Sequence, residues 1–92
     1  MSPVTVSLPI ALRAKTGHRA SISVAGQTVR EIIIALDQDF PGLRFHLCYE
    51  TGELRPYVNI FVEREHIHFL QGLDTPVSPG AKIHILASVA GG

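Results

Sequence analysis

The chain has 92 residues, a hydrophobic fraction of 46%, a charged fraction of 17% and a formal net charge of zero. This composition is that of one globular domain, and the zero net charge argues against nucleic acid or an anionic membrane as a partner. No stretch approaches the roughly 18 apolar residues of a membrane span, and the N-terminus lacks the layout of a signal peptide. Cys48 is the single cysteine and lies in an apolar stretch. We therefore expect a cytoplasmic protein with a buried, unreactive thiol and no internal disulfide.

The first half of the chain predicts two strands and a helix. Residues 4–8 and 20–24 alternate β-branched and small polar side chains, which predicts a hairpin with a loosely structured connection. Thr28 and Glu31 then have the spacing of a helix capping box. The apolar residues that follow recur at helical spacing and form one stripe, which ends near residues 39–42. These residues are Val29, Ile32, Ile33, Leu36 and Phe40.

The second half predicts three further strands. Residues 57–62 are apolar on both faces except at Asn59, a short strand follows near residues 66–69, and residues 82–86 form the last strand. Residues 43–49 fit either a short helix or an irregular segment. Between the last two strands, two loop signals leave room for a single turn of structure.

This order of elements predicts an α+β fold in one domain over residues 1–92. The first and last strands would pair in parallel, and the helix would cover one face of a mixed sheet, which is the β-grasp or ubiquitin-like roll. Residues 86–92 would form a flexible, extended C-terminal tail that ends in Gly91 and Gly92. Two residues without Cβ make a thin tail that could thread an enzyme channel. The alternative is a frayed terminus with no function.

Three segments together carry a family resemblance. Residues 58–62, residues 70–77 and residues 83–86 running into 89–92 resemble the signature of the bacterial ubiquitin-like sulfur carriers, the ThiS and MoaD family. The N-terminal stretch resembles the branch that serves cysteine synthesis, called CysO. Where the family usually has an Asn-Gly or Asn-Asp turn after its central strand, this chain has Glu63-Arg64.

The resemblance implies a chemistry for the tail. A partner adenylyltransferase of the ubiquitin-activating type would use ATP to activate the Gly92 carboxylate, with Gly91 helping the tail to thread. A sulfur donor of the rhodanese or cysteine desulfurase type would then convert Gly92 to a thiocarboxylate. The acceptor would be a pyridoxal-phosphate cysteine synthase or a synthase of molybdopterin or of the thiamine thiazole. The chain itself would bind no cofactor and would not be an enzyme, since it has no nucleophilic triad and no phosphate-binding loop.

Partner docking would use apolar side chains of the exposed sheet, although each of them could instead fill the core. The candidates are Phe61, Phe69, Leu73, Ile85, Val89 and Ala90. His66 and His68 could hold zinc, but solvent-facing positions on a strand explain the same spacing. Two other functions stay open: a protein modifier joined through Gly92 to lysines, and a non-covalent binding module in which the diglycine is idle.

Overall fold

A computed structural model describes residues 3–87 and shows a five-stranded mixed sheet in the order β2-β1-β5-β3-β4. The strands are β1 Val4–Ser7, β2 Ser21–Val24, β3 Val58–Val62, β4 Glu65–His66 and β5 Lys82–Ala87. β1 and β5 pair in parallel at the centre, and the other neighbours are antiparallel. The predicted α+β class with a β-grasp sheet is confirmed.

One long helix covers the inner face of this sheet. The α-helices are α1 Ile10–Arg13, α2 Val29–Asp39 and α3 Arg44–Leu47. α2 begins as predicted, because the Thr28 hydroxyl accepts a hydrogen bond from the Glu31 backbone N–H at 3.2 Å. The Glu31 carboxylate reaches one residue further back than in a standard capping box and accepts from the Gln27 N–H at 3.0 Å.

The core lies between α2 and the inner face of the sheet. Alternate residues of every long strand point inward, as the period of two requires. Seven core side chains of the sheet and α2 are at most 1% exposed: Val6, Ile60, Ile83 and Ile85 from the sheet, and Val29, Ile32 and Leu36 from α2.

Three local predictions are corrected. The connection between β1 and β2 is ordered: it contains α1 and a 3₁₀ helix, Ala14–Thr16, whose Thr16 hydroxyl donates to the Arg13 carbonyl at 3.1 Å. The strand near residues 66–69 is confined to Glu65–His66, and Ile67–Phe69 forms a 3₁₀ helix. Leu86 and Ala87 belong to β5 because they pair with β3, so the predicted tail begins two residues too early.

The turn from β3 to β4 explains how Glu63 replaces the usual Asn. Glu63 has φ of 57°, a left-handed conformation that Asn and Gly adopt more readily. Its backbone N–H donates to the Lys82 carbonyl at 2.8 Å, and its carboxylate accepts from the Lys82 N–H at 3.1 Å. These two bonds to β5 compensate for the less favourable backbone conformation.

Candidate functional site

The root of the C-terminal segment is anchored at the centre of the sheet. β5 lies between β1 and β3, and its last residue, Ala87, pairs with Val58. The predicted site residues Val89, Ala90, Gly91 and Gly92 lie outside the described residues, so their roles stay predictions. What the structure fixes is the strand that leads into them.

The outer face of the sheet carries small polar side chains on one side and aromatic side chains on the other. In register across the strands, Ser21, Ser7, His84, Phe61 and His66 form one row. The β2–β1 side of this row is small and polar, whereas the β5–β3–β4 side carries an aromatic ring and imidazoles. An apolar partner surface therefore matches only the second side, which also leads into the C-terminal segment.

Leu86 and Phe69 add the largest exposed apolar surface to that side. Leu86 is 53% exposed, lies on β5 opposite Asn59 and is the last described residue but one. Phe69 is 81% exposed, and its ring centroid lies 6.4 Å from that of His66. The Phe61 ring contacts the His66 ring from the other side at 5.0 Å. We call Phe61, His84, Leu86 and Phe69 the docking face.

Two further candidates do not lie on the docking face. Ile85 is 1% exposed and belongs to the inner face, so its proposed docking role is corrected: the side chain packs in the core. The alternation along β5 contained the signal for this, since Ile83 and Ile85 share one face and His84 and Leu86 share the other. Leu73 is partly buried, packs against the core and lines a cavity at the edge of the sheet.

The His66 ring is held by two contacts at its nitrogens. The His68 backbone N–H donates to Nδ1 of His66 at 2.9 Å. Nε2 lies within hydrogen-bond distance of the Asn59 side-chain oxygen, 2.9 Å away. The ring is therefore fixed between the docking face and the 3₁₀ helix that carries Phe69. Within residues 3–87, no group of three or more His, Cys, Asp or Glu side chains is arranged to hold a metal ion.

A cavity of about 600 Å³ opens beside β3, where β4 no longer pairs with it. Its lining includes the buried side chains of Val58 and Ile67, with Leu73 and Phe69 at the sides. The charged residues in the lining are Arg30, Arg55 and Glu53. No local sequence pattern predicts this cavity, because its lining residues come from five separate segments.

Cys48 is buried, 3% exposed, as predicted. Burial raises the pKa of the Cys48 thiol, and this effect outweighs the lowering by the nearby charges of Arg44, Arg30 and Arg55. A protonated, enclosed thiol is a poor nucleophile, so sulfur chemistry at this residue is disfavoured. None of the helices within residues 3–87 has the length and hydropathy of a membrane span.

A parallel β1–β5 centre, a single covering helix and a central last strand define a domain of the β-grasp, ubiquitin-like class. The chain belongs to the ThiS family, whose model matches residues 6–92. It is 38% identical to the sulfur carrier protein CysO of Mycobacterium tuberculosis over 97% of this chain and 98% of the relative.

Solved structures agree with this assignment. In the crystal structure of the Amycolatopsis orientalis BexX/CysO complex, one chain is 38% identical and superimposes with a TM-score of 0.90, covering 97% of this chain and 99% of that one. The solution structure of small archaeal modifier protein 1 from Methanosarcina acetivorans is 28% identical with a TM-score of 0.85, covering 100% of this chain and 98% of that one. The chain therefore groups with sulfur carriers of the CysO type and with ubiquitin-like modifiers.

Proposed function

We propose that this protein carries sulfur as a thiocarboxylate on Gly92 and passes it to a biosynthetic enzyme. The observation that carries the proposal is the anchored β5, which leads from the centre of the fold into a segment ending in Gly91 and Gly92. The family match extends through residue 92, so it includes both glycines. Five residues beyond Ala87 would reach about 17 Å if fully extended, far enough to enter a partner's active site.

The proposed chemistry takes place in three steps on the partner. The Gly92 carboxylate attacks the α-phosphorus of ATP, which releases pyrophosphate and leaves an acyl adenylate. A persulfide sulfur on the donor protein attacks the acyl carbon and expels AMP, which forms an acyl disulfide. A thiol then cleaves the S–S bond, and this yields the thiocarboxylate and a new disulfide on the donor side. None of these steps needs a side chain of the carrier, which therefore acts as a co-substrate and not as an enzyme.

The docking face would bring the partner to the root of the tail. Leu86 lies on β5, the strand that leads to the tail, and Phe61 lies on β3, which pairs with β5. A partner that covers both side chains would therefore also lie within reach of Gly92. Exposed apolar side chains at the centre of a polar rim are typical of recognition surfaces. The acceptor proposed first is a pyridoxal-phosphate cysteine synthase, since the CysO relatives favour that branch over synthesis of molybdopterin or thiamine.

Intact-mass spectrometry tests the proposal. The full chain is incubated with its adenylating enzyme, ATP and a persulfide donor, and we expect a mass gain equal to the replacement of one oxygen by sulfur. Deletion of Gly92 should abolish the gain without changing the thermal midpoint. Omission of ATP is the matched control.

The modifier function is the second candidate, because the small archaeal modifier protein shares the fold. In the same reaction, with a mixture of lysine-bearing proteins added, adducts joined through Gly92 would favour the modifier. Absence of both products would contradict the carrier and the modifier alike and favour a non-covalent binding module.

A further inference from the structure

Arg55 has a positive charge that no carboxylate neutralises at contact distance within residues 3–87. The ion pair found in that range joins Arg30 to Asp74, at 3.2 Å. Arg55 is partly buried and donates through Nε to the Phe45 carbonyl at 2.9 Å. Its guanidinium also lies over the Tyr49 ring, 4.7 Å from the centroid. The group is therefore held in place by two neutral contacts, and its terminal amino groups have no acceptor in the described part of the chain.

A guanidinium in this situation is suited to bind an external anion. Partial burial removes part of the hydration of a guanidinium, and hydrogen bonds or an opposite charge can offset that loss. Stacking on Tyr49 reduces the freedom that Arg55 would lose on binding, and its two amino groups match a carboxylate in bidentate geometry. The missing partner of Arg55 is thus an acceptor that comes from outside.

The cavity that Arg55 lines limits the kind of anion. Arg30 is already paired with Asp74, so Arg55 is the guanidinium of the described lining that has no carboxylate at contact distance. A single guanidinium matches one carboxylate better than a phosphate dianion. Beside the charges lie the apolar side chains of Val58 and Ile67, which suit a hydrocarbon group next to the carboxylate.

We propose that this cavity binds an acidic segment of a partner protein, with an Asp or Glu carboxylate on Arg55 and a neighbouring apolar side chain over Val58 and Ile67. The proposal rests on the proposed carrier function, which requires docking to other proteins. Continuity supports a protein segment: His66 contacts Phe61 on the docking face and also lines the cavity with Phe69. One partner could therefore cover the docking face and place an acidic residue in the cavity.

Peptide titration followed by ¹⁵N–¹H NMR tests this. The probes are acetyl-Leu-Asp-amide and the isosteric acetyl-Leu-Asn-amide, and the reporters are the backbone amides of Arg55, Val58, Ile67 and Gly72. We expect saturable shifts with the Asp peptide at millimolar concentration. The Asn peptide should bind about tenfold more weakly, because a charge-assisted pair is lost.

Variants assign the preference to Arg55. Arg55→Gln should bind both peptides with equal affinity, whereas Arg64→Gln, which removes an exposed arginine from the β3–β4 turn, should keep the tenfold preference. Arg55→Lys should fall between them because it keeps the charge but loses the bidentate geometry. If Arg55→Gln does not fold, the two peptides are compared on the unchanged protein alone, and equal affinities there would still contradict the proposal.

Three results would overturn the proposal. They are equal binding of the Asp and Asn peptides, the same preference in Arg55→Gln and the unchanged protein, and saturation of the same amides by inorganic phosphate without response to the Asp peptide. The last result would indicate a site for small anions. Mass gain at Gly92 requires none of these peptides, so failure of this proposal and failure of the carrier function are separable.

Discussion

Ile85 and Leu86 are neighbours on β5, yet they belong to different parts of the molecule. Ile85 is 1% exposed and packs among the inner residues of the sheet, whereas Leu86 is 53% exposed on the docking face. One strand therefore has two roles: its inner side holds the strand to the core, and its outer side presents apolar surface beside the root of the tail. Substitutions on the two sides should therefore separate folding from partner binding.

Ile85→Ala should have the largest effect. Removal of a fully buried aliphatic side chain leaves a cavity and lowers the free energy of unfolding by about 2–5 kcal/mol. The matched control is Leu86→Ala, which should cost at most about 0.5–1 kcal/mol because the side chain is half exposed. Urea denaturation followed by circular dichroism measures both. Equal losses in the two variants would contradict the assignment of the two faces.

Thr28→Ala tests the helix that covers the inner face. The Thr28 hydroxyl accepts from the Glu31 N–H, and its loss leaves that donor without a partner in α2. We expect the free energy of unfolding to fall by about 1 kcal/mol. Thr28→Ser keeps the hydroxyl and should retain most of the stability. A loss as large with Ser as with Ala would indicate that the methyl group, not the cap, is responsible.

Ionisation of the buried Cys48 thiol should make the free energy of unfolding depend on pH. Burial raises the pKa of its thiol in the folded chain, so the folded state holds the proton more tightly than the unfolded state. The protonated thiol therefore contributes to the free energy of unfolding below the unfolded-state pKa of about 8.5. This contribution is lost as the pH rises above that value.

The comparison is between the unchanged protein and Cys48→Ala, unfolded in urea at neutral and at alkaline pH. Cys48→Ala begins less stable because it leaves a small cavity. The unchanged protein should lose more stability than the variant between the two pH values. A parallel decline in both proteins would show that other groups cause the pH dependence.

The elements with a strong local pattern were predictable from sequence. The Thr28 cap and the apolar spacing that follows it define α2 locally, and the alternation of residues 82–86 defines most of β5. The short helix α1 was missed because its four residues have no periodicity to read, and their helical turn depends on Leu12 packing into the core. His68 was wrongly placed on a strand for a related reason: the cap formed by His66 ends β4 and begins a 3₁₀ turn.

The candidate site was predictable to a smaller extent. Phe61 and Phe69 were named from sequence, and the structure places both on one side of the sheet. Leu86 is absent from the docking residues predicted from sequence. The alternation along β5 nevertheless places Leu86 on the face opposite to Ile85. Arg55 could not be found, because its significance depends on Tyr49 and on the absence of a nearby carboxylate within the described residues, which only the assembled fold reveals.

Leu86→Ala should have the smallest effect on stability and a large effect on binding. Under the proposed function, the adenylating enzyme covers Leu86, and truncation of a central apolar contact lowers affinity about tenfold or more. Isothermal calorimetry with the purified adenylating enzyme measures this, and Thr5→Ala, on the same sheet face two strands from β3, is the control that should leave affinity unchanged. If Leu86→Ala binds as tightly as the unchanged protein while sulfur loading persists, the enzyme recognises the tail alone. The outer side of β5 would then have no separate role, and the contrast between Ile85 and Leu86 would be one of burial only.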